Sequence, residues 1–255
     1  MPMTLILTAV LLSMLIGVSL GLLGGGGSIL TVPILIYALH VPDKSAIASS
    51  LLVVGITSGI AALQHARVGN VVWKVAGTFA GAGMVGSFLG AQMGAFIPAT
   101  VLLVVFALVM FGASIAMWRG RKAQTQTAPS ANAGLIKSLL LGTIVGIVTG
   151  LLGAGGGFLI VPALTLLAGL PMKQSVGTSV VVIALNSFAG FAGQVGHVDI
   201  DWQLTALVTG SAIGGSFLGA VLGARVDPAH LRRGFAVFVF AMGLFLMVKQ
   251  LQHLL

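Results

Sequence analysis

The stretch from Gly17 to Pro33, GVSLGLLGGGGSILTVP, returns at Gly146 to Pro162 as GIVTGLLGAGGGFLIVP. Gly17, Gly21, Leu22, Leu23, Gly24, Gly26, Gly27, Leu30, Val32 and Pro33 all recur at one offset, 129 residues (146 − 17). The offset holds further along, for Pro42 with Pro171, Lys44 with Lys173, Trp73 with Trp202, Phe106 with Phe235, and the block Gly86 to Ala91 with Gly215 to Ala220. A chain written twice in this way is expected to fold as two similar halves.

What the halves can be follows from composition. Of 255 residues, 58% are hydrophobic and 6% are charged, against about 25% charged in soluble domains. Apolar runs near the ~20 residues a spanning helix needs recur along almost the whole length. The chain therefore reads as an integral membrane protein with no room for a soluble domain. The net charge of +8 has no basic face on a soluble module to carry it, which argues against nucleic acid. With no cysteine, disulfides, thiolate metal sites and thiol catalysis are excluded. The opening MPMTLILTAVLLSMLIG has no lysine or arginine before its apolar core, and its counterpart at Leu135 to Leu152 is internal. It is read as a membrane segment and not as a cleaved signal peptide.

The expected plan is all-α and polytopic: two inverted repeats, each a glycine-broken helical hairpin followed by three transmembrane helices. An apolar run from Thr4 to Leu23 ends at the glycines, and a shorter one follows from Ser28 to Leu39. At roughly 18 Å as a helix, the second is too short to cross a bilayer. Fuller segments follow at Ser45 to Gln64, Val71 to Gly94 and Thr100 to Trp118. The second half repeats them at Ser175 to Val195, Trp202 to Ala224 and Ala229 to Gln250. The polar stretch RGRKAQTQTAPSANAG has linker composition, which divides the chain into an N-terminal repeat (1–118), a cytoplasmic linker (119–134) and a C-terminal repeat (135–255).

Charge placement favours inversion. If each hairpin leaves and returns on one side, Arg67, Lys74, Arg119, Arg121, Lys122, Lys137, Lys173, Arg225, Arg232 and Arg233 share the linker's side, ten cations against Lys44 and Lys249. A single crossing by the broken pair leaves seven against five. The positive-inside rule selects the first arrangement, with the linker in the cytoplasm.

A glycine run within hydrocarbon leaves backbone groups that must face protein or water. The short helices after the two runs begin with free N–H groups and a positive dipole end. Two such ends approaching mid-bilayer from opposite sides would make an anion site. The candidate substrate-binding residues are Gly24, Gly25, Gly26, Gly27 and Ser28 with Gly153, Ala154, Gly155, Gly156 and Gly157. Ser49, Ser50, Thr57 and Ser58, with Thr178, Ser179, Asn186 and Ser187, would complete it from the following helix. Gln64, His65 and Gln194 lie near helix ends, as gates or as interfacial groups. The spaced glycines at 86, 90, 94, 215, 219 and 223 suit close helix packing, within the chain or in a homo-oligomer.

There is no glutamate, and the four aspartates, Asp43, Asp199, Asp201 and Asp227, fall in expected loops. A buried carboxylate relay is absent, so the site suits an anion and not a cation. No paired carboxylates, metal cluster, nucleophile elbow or phosphate-loop lysine appears, so no catalytic residue, metal or cofactor is expected.

The paired glycine stretches ending in Val32-Pro33 and Val161-Pro162, the Gly177-Thr178-Ser179 after the second, and the later Trp73 and Trp202 resemble the sulfite exporter TauE/SafE family, also called the toluene-sulfonate uptake permease family. The likeness covers essentially the whole chain. One departure is Ala48-Ser49-Ser50 in the first copy where the second has Gly177-Thr178-Ser179. The resemblance implies a bacterial inner-membrane permease for sulfite, sulfonates or related anions, often outward. The expected partners are therefore a small anion and the lipid bilayer. A passive anion channel and a membrane scaffold without cargo are the other readings.

Overall fold

The computed structural model describes residues 3–119, 131–153 and 156–254. Most of the linker, together with Ala154 and Gly155 of the candidate site, lies outside the described residues. The first half contains α1 (Met3–Leu23), α2 (Gly26–Pro33), α3 (Asp43–Arg67), α4 (Trp73–Phe96) and α5 (Ala99–Arg119). The second contains α6 (Ala131–Leu152), α7 (Gly157–Pro162), α8 (Met172–Gln194), α9 (Trp202–Arg225) and α10 (Pro228–Leu254). All regular structure among the described residues is helical.

Gly24 and Gly153 both stand at φ +68 immediately after α1 and α6, a left-handed conformation that glycine adopts without steric cost. There the chain turns back. Gly27 lies against Ile16 and Leu20 of α1, and Leu30, Ile34 and Leu39 share a core with Ala9 and Ile16. Each short helix ends on a proline, which has no N–H to give, and widens into one π-helical turn, Ile34–Ala38 or Ala163–Leu167. Matching bonds close the two turns: Leu39 N–H to the Ile34 carbonyl at 3.0 Å and Ala168 N–H to that of Ala163 at 3.1 Å. A glycine break followed by a short helix is present in both copies, and the return onto the preceding helix is seen for α2 on α1.

The halves exchange partners. Gly17, Gly21 and Leu22 of α1 meet Ala212, Ser216 and Gly223 of α9; at the offset, Gly146, Gly150 and Leu151 of α6 meet Gly83, Ser87 and Gly94 of α4. Residue numbers rise together, so each pair runs parallel. By contrast α3 and α8 run opposite ways, Leu51 meeting Gly190 and Gly55 meeting Phe188. So do α5 and α10, where Phe111 and Phe240 rings lie 5.2 Å apart and Ser114 Oγ donates to the Ala236 carbonyl at 2.8 Å. Since α8 is the repeat copy of α3 and α10 that of α5, each helix packs antiparallel to its own copy.

Six described helices are long and apolar enough to cross a membrane: α1, α3, α5, α8, α9 and α10. α4 has the length but falls short in apolarity; it carries Lys74 and Gln92 where its copy α9 has Gln203 and Val221. Leu7, Leu11 and Leu15 of α1 and Val237, Phe240 and Leu244 of α10 are exposed, a surface suited to lipid. The aspartates serve helix starts: Asp201 accepts from Leu204 N–H and Asp227 from Ala229 N–H. The latter bond holds the Asp227 carboxyl below the ordinary carboxylate range.

Close approach of these backbones sets an expectation of opposite signs. A methyl at Gly17 or Gly150 would fall on the carbonyl of Ala212 or Ser87, whereas one at Gly77 or Gly210 meets nothing within 4 Å. Gly17→Ala and Gly150→Ala should each cost about 1–3 kcal/mol by overpacking, lowering the thermal midpoint of the purified protein. Gly77→Ala and Gly210→Ala should leave it unchanged or raise it, since alanine is the better helix former by about 1 kcal/mol.

Candidate functional site

The two glycine turns touch. A Cβ at Gly25 would fall on the Gly157 carbonyl, and one at Gly157 would fall against Gly25. Helix α2 therefore starts at Gly26 with its first N–H groups beside the opposite turn, and its N-cap, Gly25, has no side chain to offer them. Ser28 Oγ donates to the Gly25 carbonyl at 2.7 Å and so fastens the turn from within.

The following helices grip the turns reciprocally. Ser50 Oγ donates to the Ile47 carbonyl at 2.7 Å and also to the carbonyl of Gly153. Its copy Ser179 donates to the Val176 carbonyl at 2.8 Å and stands beside Gly24. Thr57 bonds within its own helix, to Val53, and Thr178 Oγ1 accepts the Val72 N–H at 3.0 Å, tying the chain just before α4. Ser49 is buried. The hydroxyls of Ser50, Thr57, Thr178 and Ser179 already have structural tasks.

Three others do not. Ser58 Oγ, Ser187 Oγ and both side-chain polar atoms of Asn186 are buried without a hydrogen-bond partner. Ser58 and Ser187 are repeat copies of each other, and Asn186 is the copy of Thr57. A buried polar group left unpaired costs roughly 1–3 kcal/mol. Ser58 and Ser187 carry that cost at equivalent positions of the two halves, and Asn186 carries it in the second half alone.

Beside the turns a cavity of about 270 Å³ opens between α1, α3, α8, α9 and α10. Gln64 and His65 line it together with Asn70 and Lys173, two residues that the sequence reading did not place in the site. It lies at the end where α3, α5 and α9 finish and α8 and α10 begin, which gathers Arg67, Arg119, Lys173, Arg225 and Arg232. Gln194 belongs to the opposite end, where it lines a space of about 10 Å³ with Lys44 and His197, room for about one water. A signal for the lysines existed in the sequence: Lys44 and Lys173 hold the repeat offset, each two residues after a proline. Among the described residues no cluster of three His, Asp or Glu side chains could hold a metal.

Comparison with known proteins fits this architecture. The family described as Sulfite exporter TauE/SafE matches residues 9–246. A probable membrane transporter protein of Xylella fastidiosa (strain 9a5c) is 33% identical over 240 residues, covering 91% of this chain and 90% of that protein. One of Methanocaldococcus jannaschii is 30% identical over 256 residues, covering 94% of each. A third, YdhB of Bacillus subtilis, is 29% identical over 214 residues, covering 83% of this chain and 87% of its own. No solved structure matches. With its multi-pass helical bundle and a match over nearly its whole length, the chain belongs to the sulfite exporter TauE/SafE family of membrane transporters.

Proposed function

We propose that this protein is a secondary transporter that exports a small sulfur-containing oxyanion, such as sulfite or an organosulfonate, across the bacterial cytoplasmic membrane by alternating access. The observation that carries the reading is the inequality of two equivalent ends. Lys173, Val176, Gly223 and Leu231 line the cavity of about 270 Å³, and their repeat copies Lys44, Ile47, Gly94 and Leu102 line the one of about 10 Å³. A carrier is open on one side at a time, whereas a conducting channel opens both ends together. The second reading, a passive anion channel, is therefore disfavoured.

Antiparallel packing of α3 against α8 and of α5 against α10 supports reading the repeats, 1–118 and 135–255, as inverted across the bilayer. In that orientation the end rich in cations, and with it the linker 119–134, faces the cytoplasm. The open cavity is then the cytoplasmic one, the side from which an exporter loads. Beyond it the anion would lie at mid-membrane beside the glycine turns, meeting their N–H groups and the side chains of Ser58, Asn186 and Ser187. No acidic residue of the chain lies in the interior of a helix, so nothing there repels a negative charge.

Proteoliposomes loaded with labelled sulfite, taurine or thiosulfate should show saturable efflux and exchange of at least one. Absence of flux for every sulfur oxyanion would sink the proposal in favour of a scaffold. A pair of variants separates site from framework. Ser50→Ala strips a hydrogen bond from the Gly153 turn and should cost about 1–3 kcal/mol of stability. Ser58→Ala removes a hydroxyl with no partner and should keep the wild-type thermal midpoint while lowering flux about tenfold, the worth of one hydrogen bond to an anion. Wild-type flux in Ser58→Ala and Ser187→Ala would remove that pair from the path.

A further inference from the structure

We propose that the side on which this protein is open is set by two exchangeable clips, each a pair of side-chain donors that bond carbonyls where α1 or α6 ends. Ser50 and Gln194 form the clip that is made in this structure, at the end with the smaller space. Ser179 and His65 are its unmade copy at the cation-rich end. The proposal rests on the alternating-access reading and deepens it, naming positioning residues that decide which end is shut.

At the shut end both bonds are present. Ser50 Oγ donates to the Gly153 carbonyl, and Gln194 Nε2 reaches the Gly150 carbonyl at 3.4 Å. Gly153 stands against Ile47, which lines the space of about 10 Å³ together with Gln194. At the repeat offset these four residues become Ser179, Gly24, His65 and Gly21. Ser179 stands beside Gly24, yet among the described residues its hydroxyl bonds the Val176 carbonyl of its own helix, the counterpart of the bond from Ser50 to Ile47. His65 and Gly21 line the cavity of about 270 Å³, and neither ring nitrogen of His65 has a hydrogen-bond partner. Two equivalent pairs of donors are thus engaged at one end and disengaged at the other, in step with the space beside them.

The physical reason lies in the acceptors. The last carbonyls of a helix have no partner within it, and inside a membrane such groups must meet protein or water. The shut end has room for about one water, so side chains take up the carbonyls there. The open end has room for more, and its donors stand free. Shutting it would bring the Ser179 hydroxyl onto the Gly24 carbonyl and an N–H of His65, which even the neutral ring carries, onto that of Gly21. The exchange trades two bonds for two, so weakening one clip favours opening of its own end and shutting of the other.

Because the chain has no cysteine, one introduced at the shut end reports how often that end opens. Leu102 lines the smaller space and is 4% exposed. In the full chain in lipid nanodiscs, the rate at which Leu102→Cys reacts with a water-soluble maleimide is the readout, with thermal midpoints to check folding. Adding Ser50→Ala should raise that rate about fivefold, the worth of one hydrogen bond. Adding Ser179→Ala at the far end should lower it by a similar factor, because it removes a bond made only when the shut end is open. His65→Ala should lower it likewise. The two serine changes together should return the rate to that of Leu102→Cys alone, since distant changes add. A merely structural Ser50 would lower stability and leave the double variant as reactive as Ser50→Ala. That result, or a rate unmoved by Ser179→Ala in a folded protein, would overturn the clips; sulfur-oxyanion flux found alongside it would leave the transporter reading standing. Rates that shift as stated in a protein that carries no sulfur oxyanion would keep the clips and overturn that reading.

Discussion

Backbone laid directly on backbone is the contact from which the rest of this structure follows. Hydrocarbon gives little reward for burying apolar side chains against each other, so helices in it associate through close approach of small residues. Here α1 gives its glycine face to α9 of the other half, and α6 gives its own to α4. Neither half can therefore close its own core. Because each parallel pair joins elements from different repeats, the hairpin of one half is carried on a long helix of the other, and the two glycine turns are brought into contact between α3 and α8.

Much of this was legible because a repeat imposes its geometry twice. The offset of 129 placed the breaks, and the contiguous glycines predicted a reversal where Gly24 and Gly153 now stand at positive φ. The spaced glycines suggested packing without naming a partner. That α1 would seek α9 across the chain could not be read, since small-residue faces are alike and periodicity carries no address. Among the candidate hydroxyls, the division between Ser50, busy with the Gly153 carbonyl, and Ser58, busy with nothing, depends on side-chain surroundings that one sequence does not encode. Residues 154 and 155 lie outside the described residues, so their part in the second turn stays a sequence expectation.

The inequality of the ends was hidden for a different reason. Two matched copies predict two matched vestibules, yet on the proposed reading a carrier at any moment occupies one side of its cycle. Lys44 and Lys173 are interchangeable in sequence and separated by conformation: one is closed onto Ala95, the other lines an open cavity. On the proposed alternating-access reading the repeat supplies two equivalent arrangements, which exchange about the glycine turns at their meeting point. Binding energy for a cargo can shift such an equilibrium only through contacts that differ between its two states.

The most direct measurement of the central claim is a pair of distances followed by pulsed electron resonance in the cysteine-free background. Spin labels at Val68→Cys and Arg225→Cys report the open end, and labels at the equivalent Phe96→Cys and His197→Cys report the shut one; all four positions are exposed. In proteoliposomes, conditions that shorten the first distance, such as a reversed gradient of transported anion, should lengthen the second. Distances that change together, or that do not respond to any transported anion, would contradict an exchange between two equivalent ends.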